Sequence, residues 1–219
     1  MSGKPEKEKK AKQKPAEPAK EKKPGADLSV LRRCMERRLE PKRYEHTLGV
    51  AYTAAALAMR YDADPLKAQI AGLLHDCAKN LTHEKQLHIC KKQGIAVNVA
   101  EKKNPSLLHA KVGSFLAWHK YGIEDREILD AITWHTTGKP DMRLLDKILY
   151  IADYIEPARN QAPNLPQARR LAFEDLDECL FLILRDTLAY LSASKAEIDP
   201  MTQQTYEFYR AEKEKGGRQ

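Results

Sequence analysis

Cysteine is scarce in this chain, and the cysteines form no paired motif. Four Cys occur among 219 residues, and no two of them lie in a C-x-x-C arrangement. A small secreted protein that depends on disulfides, or a zinc ribbon, would show closely spaced pairs. The sequence therefore argues against both classes and predicts reduced, mostly buried thiols.

Long apolar runs are also missing. The segments FLIL and AAALAM fall far short of the ~20 apolar residues of a membrane-spanning helix. The N-terminus lacks the apolar stretch of a secretory signal, and the chain has no glycine-rich loop of the kind that cradles phosphates. We therefore expect a cytoplasmic protein with no membrane contact, in which side chains or metal ions would bind any phosphate group.

Most of the positive charge lies in one short segment. Residues 1–26 carry nine Lys and four Glu, so this segment contributes +5 of the net charge of +7 and leaves +2 for the rest. A segment so poor in apolar residues cannot bury enough surface to fold, which predicts disorder. Such a basic tail can contact nucleic acid, membrane phospholipid or the phosphates of a substrate. No aromatic residue interrupts it, which argues against binding of single-stranded nucleic acid. A solvated tail without a dedicated partner is the favoured interpretation.

From residue 28 onward, apolar residues recur at spacings of three and four, which is typical of amphipathic helices. Asp64 and Pro65 predict a helix start, Thr82 and Ser106 are further candidate caps, and Gly94 is a stop signal. No alternating strand pattern exceeds four residues, so the predicted fold class is all-α. The predicted helices lie near residues 31–39, 41–60, 65–76, 83–93, 106–121, 125–135, 142–156 and 173–194 and from residue 200, with a loop at 161–166.

Six polar residues stand out because each lies where an apolar helical segment meets a polar end. Imidazole and carboxylate groups in such positions are metal-ligand types suited to Fe, Mn, Zn or Co. Six ligands exceed the three or four that one catalytic ion takes from a protein, which indicates a two-metal site. The six residues are His46, His75, Asp76, His109, His135 and Asp153.

The remaining histidines provide an internal comparison. His83 and His88 lie in the polar segment THEKQLHICKK, and His119 lies on a different helical face from His109. A lone His on a helix is more often hydrogen-bonded in the core or exposed than bound to a metal. We therefore assign these three to surface or supporting roles.

At these residues the chain resembles the HD superfamily of metal-dependent phosphohydrolases, whose defining doublet stands here as His75-Asp76. Within it, the chain is most similar to the YqeK group of symmetrical bis(5′-nucleosyl)-tetraphosphatases. The resemblance covers about residues 31–159 and implies an HD-domain helical fold with extra C-terminal helices. It is carried by RYEHTLGVA from Arg43, AGLLHDCAKNL from Ala71, LLHAKVG from Leu107, AITWHTTGKP from Ala131 and DKILYIADYIEPAR from Asp146.

The resemblance implies how two metal ions would be held. His46, His75, Asp76 and Asp153 would bind one ion. Asp76 would bridge to a second ion held with His109 and His135. The family's expected metal is iron, whereas the residue types alone also allow manganese, cobalt or zinc.

The resemblance also implies roles in catalysis and substrate binding. Two close cations would activate a water for in-line attack on phosphorus. Asp76, Lys79, His109 and His135 are the expected catalytic residues, because they would hold the ions and neutralise the attacked phosphate. The expected substrate contacts are made by Arg43, Lys79, Thr136, Thr137, Gly138, Glu156 and Arg159.

The expected function is symmetrical hydrolysis of diadenosine tetraphosphate and related dinucleoside polyphosphates into two ADP. Another HD-type nucleotidase or second-messenger phosphohydrolase is the first alternative. The second is a non-catalytic nucleotide- or RNA-binding module that uses the basic tail. The expected organisation is a tail at 1–26, a phosphohydrolase core at 27–160 and C-terminal helices at 161–219 that pack on the core, in a monomer or homodimer.

Overall fold

The computed structural model describes residues 23–194 and 197–216, and the secondary structure within them is helical without a β-strand. The prediction of an all-α fold is confirmed. None of the described helices is long and apolar enough to cross a membrane. The α-helices are α1 Leu28–Arg38, α2 Pro41–Arg60, α3 Pro65–Leu74, α4 His83–Gln93, α5 Val99–Lys103, α6 His109–His119, α7 Arg126–Trp134, α8 Leu144–Ile155, α9 Leu165–Glu174, α10 Leu176–Ala193 and α11 Pro200–Gly216.

Local capping signals determine several helix ends as predicted. The Asp64 carboxylate accepts hydrogen bonds from the N–H groups of Leu66 and Lys67, at 2.8 and 3.2 Å, and Pro65 occupies the first position of α3. The Thr82 hydroxyl accepts from a backbone N–H of α4. Gly94 ends α4 with a φ of 68°, a conformation that glycine adopts at low cost.

The predicted cap at Ser106 is wrong. Pro105–Leu108 forms a 3-10 helix, and α6 begins only at His109. Helix α6 has no side-chain cap. Asn98 caps a different helix: it shares a capping box with Glu101 and starts the short helix α5, which was not predicted.

The predicted helix from residue 173 to residue 194 corresponds to α10, which begins three residues later, at Leu176. The separate helix α9 before it was not predicted. Asp175 adopts an extended conformation between α9 and α10, and its carboxylate accepts from the N–H groups of Asp177 and Glu178 to start α10. The loop predicted at residues 161–166 ends earlier, because α9 begins at Leu165. Pro166 fits there, since the first turn of a helix needs no N–H donor.

One hydrophobic core joins the helices that carry the candidate site. Leu57 of α2, Leu74 of α3, Ile132 of α7 and Leu149 of α8 are fully buried in it. A Cβ atom at Gly72 would lie 2.5 Å from the Ala51 Cα, so α2 and α3 are in backbone contact. This close packing fixes the end of α3 against the middle of α2.

The C-terminal helices share this core. Ala168 of α9, Leu180 and Ile183 of α10 and Tyr209 of α11 are buried in the same cluster. Helix α8 contacts both α9 and α10. The segment after residue 160 therefore packs directly behind the helix that carries Asp153.

The predicted disordered tail covers residues 1–26, of which residues 1–22 lie outside the described part of the chain. The prediction does not hold for residues 23–26, which form a turn against the α6–α7 connection. The Gly25 N–H donates to the Tyr121 carbonyl at 2.9 Å. A Cβ at Gly122 would lie 2.9 Å from the Lys23 side chain, so this turn packs closely on the core.

Candidate metal centre

All six candidate ligands converge in one place, although they come from five helical segments. His46 lies within α2, His75 is the C-cap residue directly after α3, and Asp76 follows it in a turn. His109 begins α6, and His135 is the C-cap residue directly after α7. Asp153 lies in the last turn of α8 and retains 23% of its side-chain exposure, whereas the other five are buried. We call these six residues the His/Asp cluster.

Asp76 lies at the middle of the cluster, and its two carboxylate oxygens face different residues. Oδ2 lies 3.5 Å from His75 Nε2 and 3.9 Å from His46 Nε2. Oδ1 lies 3.2 Å from His109 Nε2 and 4.0 Å from His135 Nε2. We call His46 and His75, on the Oδ2 side, the first set, and His109 and His135, on the Oδ1 side, the second set. A carboxylate that bridges two metal ions requires ligands on both sides in this way.

The ligand atoms are close enough to share a cation. Asp153 Oδ1 lies 3.0 Å from His46 Nε2, which places Asp153 in the first set. One donor atom each from His46, His75 and Asp153 lies within 4.8 Å of the others, and the same is true of His75, Asp76 and His135. His75 belongs to both groups, so the two candidate positions adjoin one another.

Backbone geometry orients three of the imidazoles in the same way. The Nδ1 atoms of His75, His109 and His135 contact the carbonyl oxygens three residues earlier, at 2.7, 2.5 and 2.8 Å. A carbonyl only accepts, so Nδ1 carries a proton, and in the neutral ring Nε2 then presents its lone pair to the cluster. A hydrogen bond of this kind is what usually fixes the orientation of a metal-ligating histidine.

His46 is held by a side chain instead. Its Nδ1 lies 3.0 Å from Glu156 Oε1, while its Nε2 faces Asp153. A neutral imidazole has one N–H, so it can donate to only one of these two carboxylates. The other nitrogen then presents a lone pair to an anion, which requires a proton or a metal cation between them.

The cluster also contains buried polar atoms that lack a hydrogen-bond partner. Within the described residues, Nε2 of His46 and Nε2 of His75 are buried and make no hydrogen bond. Such atoms are rare in folded proteins unless something else satisfies them. Two unsatisfied imidazole lone pairs beside two carboxylates fit a transition-metal cation, for which nitrogen and oxygen donors are suitable.

The electrostatics of the cluster favour the metal-binding forms of Asp76 and His135, whereas the Asp76 carboxylate, against the effect of burial, raises the pKa of His75. Burial would raise the pKa of Asp76, but the His75 and His109 imidazoles lower it well below its ordinary value. Burial and the neighbouring His109 and His75 lower the pKa of His135 to about 3. At neutral pH the cluster therefore offers ionised Asp76 and neutral His135.

Three cationic side chains border the cluster, as predicted for substrate-binding residues. Arg43 Nη1 donates to Asp76 Oδ2 at 2.9 Å. Arg159 Nη2 donates to Asp153 Oδ1 at 2.6 Å, and its Nε donates to the Asp153 carbonyl. Lys79 Nζ lies 3.4 Å from the His109 ring nitrogens. Their proximity to the cluster makes phosphate binding feasible, and that role stays a prediction.

The structure separates the three residues Thr136, Thr137 and Gly138. Thr136 Oγ1 lies 3.2 Å from His135 Nε2, inside the cluster. Thr137 Oγ1 instead donates to the Gly138 carbonyl at 2.9 Å. Gly138 faces α11, where a Cβ would lie 2.7 Å from Thr205 Cγ2. Only Thr136 is thus brought to the cluster, whereas Thr137 and Gly138 shape the turn beside it.

The comparison histidines have no part in the cluster. His83, His88 and His119 are exposed, and His119 stacks on Phe115 with ring centroids 5.2 Å apart. The sequence-based separation of these residues from the cluster therefore agrees with their placement.

Gly49 is a residue of the site that the sequence interpretation missed. It lies three residues after His46, and a Cβ there would lie 2.5 Å from Glu156 Oε2. The missing side chain leaves room for the carboxylate that holds His46. A glycine inside a helix costs about 1 kcal/mol relative to alanine, so its position in the middle of α2 was an available signal.

We expect Gly49→Ala to weaken metal binding without unfolding the protein. The added methyl group improves helix propensity but displaces the flexible end of Glu156, and His46 loses its orienting contact. Loss of such a supporting contact typically lowers metal affinity about 10–100-fold. The measurement is competition for metal against a chelator, with thermal unfolding of the metal-free protein beside it.

Glu156→Gln is the matched variant for this prediction, since it retains the side-chain shape and removes the charge. Both changes remove the same contact between Glu156 and His46, so their effects should not add. The metal affinity of the double variant should equal that of whichever single variant binds metal less tightly. Unchanged metal affinity in Gly49→Ala would contradict the role assigned to the Glu156–His46 contact.

The helical architecture and the His/Asp cluster define an HD-domain protein, and the HD domain family model matches residues 43–158. The chain is 39% identical over 173 residues to "Bis(5'-nucleosyl)-tetraphosphatase, symmetrical" of Bacillus subtilis, covering 79% of this chain and 92% of that protein. It is 38% identical over 168 residues to the protein of the same name from Halalkalibacterium halodurans, covering 77% and 89%.

A solved structure supports the assignment to the HD superfamily. A crystal structure from Clostridium acetobutylicum, described as a predicted HD superfamily hydrolase involved in NAD metabolism, superposes with a TM-score of 0.82 at 38% identity, covering 85% of this chain and 98% of that chain. This protein belongs to the symmetrical bis(5′-nucleosyl)-tetraphosphatase family of HD-domain hydrolases. The HD domain implies divalent metal binding, and the candidate His/Asp groups agree with that.

Proposed function

We propose that this protein hydrolyses diadenosine tetraphosphate symmetrically into two ADP, using two transition-metal ions, with iron as the first candidate. The observation that carries the proposal is the position of Asp76, whose two oxygens face two sets of ligands. The names of the related proteins supply the substrate class, a dinucleoside tetraphosphate.

The residues divide between two metal positions. His46, His75 and Asp153 would hold one ion, His109 and His135 the other, and Asp76 would bridge them. When bound, such ions would supply a hydroxide nucleophile at neutral pH and offset the negative charge on phosphate oxygens. The chain itself would keep Asp76 ionised and His135 neutral, the forms in which these residues bind metal.

The cationic residues would bind and orient the polyphosphate. Arg43 and Arg159 lie on the first-set side of Asp76, and Lys79 lies on the second-set side beside His109. A guanidinium suits bidentate contact with phosphate, and a partly buried ammonium acts as a point charge. Cations on both sides of Asp76 suit a substrate that extends in both directions from the attacked phosphorus.

Two further groups would assist at the same place. Thr136 offers a hydroxyl within the cluster, beside His135. Glu156 would act through His46, which it orients, because its carboxylate is buried and directed at the imidazole. We therefore propose Glu156 as a supporting residue and Thr136 as a contact for a phosphate oxygen.

The test is turnover of diadenosine tetraphosphate by protein reconstituted with iron or manganese, with the products separated by chromatography. ADP as the sole nucleotide product is the expected result. AMP plus ATP would overturn symmetrical cleavage. Cleavage of mononucleotides or signalling nucleotides without this substrate would place the protein among other HD phosphohydrolases, and binding without any turnover would indicate a non-catalytic module.

A further inference from the structure

The end of α8 is followed by a segment whose carbonyl groups point to a single side chain. A helix C-terminus leaves carbonyl oxygens without helical partners, and something else must satisfy them. Arg169 of α9 donates from Nε to the Ile155 carbonyl at 2.9 Å, and from Nη2 to the Glu156 and Arg159 carbonyls at 2.9 and 2.7 Å. The Pro157 carbonyl lies within 3.4 Å of the same Nη2.

The segment that Arg169 holds carries two side chains that touch the first set. Glu156 contacts His46, and its other oxygen accepts from the Ala158 N–H at 2.7 Å. The Arg159 guanidinium donates hydrogen bonds to both the side-chain carboxylate and the backbone carbonyl of Asp153. Arg169 itself makes none of the described hydrogen bonds or ion pairs with a cluster residue, so any effect on the cluster must pass through Glu156 and Arg159.

The guanidinium group is suited to this task in a way that an ammonium is not. Its N–H donors form a rigid planar fork, so one side chain can reach carbonyls from successive residues in a fixed geometry. Hydrogen bonds from a charged donor are also stronger than those between neutral groups. Arg169 can therefore fix the backbone conformation of the whole segment 155–159 rather than the position of one residue.

Helix α9, which carries Arg169, is itself held in place by packing and by hydrogen bonds. Ala168 and Ala172 of α9 are fully buried in the core that α8 and α10 share. In addition, Arg60, the last residue of α2, donates from Nε to the Phe173 carbonyl at 2.8 Å, and the hydroxyl of the following residue, Tyr61, donates to the Ala172 carbonyl at 2.9 Å. Helix α9 is thus attached to α2, the helix that carries His46, as well as to α8, the helix that carries Asp153.

We infer that Arg169 is a positioning residue for the first metal position, because it holds the Glu156 and Arg159 segment against His46 and Asp153. Helix α9 would then support the metal site in addition to packing on the hydrophobic core. The inference rests on the proposed metal centre of this enzyme, but it does not depend on which nucleotide is cleaved.

The experiment compares Arg169→Gln and Arg169→Lys with Arg170→Gln. Arg170 is the adjacent residue, is exposed and pairs with Glu174 in the same helix. Its variant therefore removes the same charge but leaves the hydrogen bonds from Arg169 to residues 155–159, which we call the clamp, intact. Manganese binding to each full-length protein is titrated against a competing chelator, so that the two binding steps are resolved. Circular dichroism and thermal unfolding are recorded for the same samples.

The expected result is a loss of about 10–100-fold in the affinity of one of the two manganese sites in Arg169→Gln, the size typical of losing a supporting contact. The other site and the Arg170→Gln protein should bind as the wild type does. Arg169→Lys should fall between them, and if Arg169→Gln fails to fold, Arg169→Lys decides the test by the same criterion.

Two results would overturn the inference. Wild-type affinity at both sites in the folded Arg169 variants would show that the clamp does not act on the metal position. An equal loss at both sites would show a general effect on stability. Failure of the wild-type protein to cleave diadenosine tetraphosphate would count against the proposed substrate alone, because the manganese titration contains no nucleotide.

Discussion

Asp76→Asn is expected to abolish turnover and to release metal from both positions. Asn retains the size of Asp but replaces one ligating oxygen with an NH2 group and removes the negative charge that two cations would share. Because Asp76 faces both sets, one substitution affects both positions at once. The loss should exceed the roughly 10²–10³-fold that follows removal of one transition-state hydrogen-bond donor.

The measurement combines metal content by elemental analysis with the turnover rate at saturating metal. Asp177→Asn is the matched control, since the Asp177 carboxylate is 67% exposed on α10 and pairs with Lys147. Among the described hydrogen bonds and ion pairs, Asp177 makes none with a cluster residue. Full metal content and wild-type turnover in Asp76→Asn would refute the bridging role. A circular dichroism spectrum like that of the wild type separates loss of metal from loss of fold.

Lys79→Met should lower kcat/KM by about 10²–10³-fold while the protein keeps its metal. Methionine is of similar length and apolar, so it fills the partly buried space but cannot neutralise a phosphate. The pKa of Lys79 is lowered by burial, although the nearby Asp76 carboxylate opposes the effect. An ammonium with little water around it interacts strongly with an incoming anion, which is why the loss should be large.

Lys85→Met is the control for this prediction. Lys85 is exposed on α4, and its substitution removes the same charge from the protein. The kinetic constants should be measured together with metal content. Wild-type kcat/KM in Lys79→Met would exclude a role in substrate binding or catalysis. Loss of metal in Lys79→Met would mean that Lys79 supports His109 rather than the substrate.

The sequence predicted those parts of the fold that depend on neighbouring residues. The start of α3 at Asp64 and Pro65 and the end of α4 at Gly94 agree with the structure. A cap acts on N–H or carbonyl groups within one helical turn, so its effect can be inferred from the local order of residues. The sequence also singled out the His/Asp cluster by residue type, because such groups are costly in apolar surroundings without a partner.

The predictions failed at short helices and at one cap. The sequence pattern missed α5 and α9, and it placed a cap at Ser106, whereas α6 begins only at His109. Isolated helices this short are marginal, so packing on the core decides whether they form, and the local pattern of residues does not.

The helical class, several helix ends and the residue types of the cluster could thus be predicted from the sequence alone, and its motifs indicated the family. Three contacts become visible only when the helices are packed: Glu156 holds His46, Gly49 leaves room for Glu156, and Arg169 binds the carbonyl groups of the segment after α8. These contacts join residues over a hundred positions apart or on different helices. They depend on how helices rotate and cross when they pack, and periodicity along the chain does not encode that geometry.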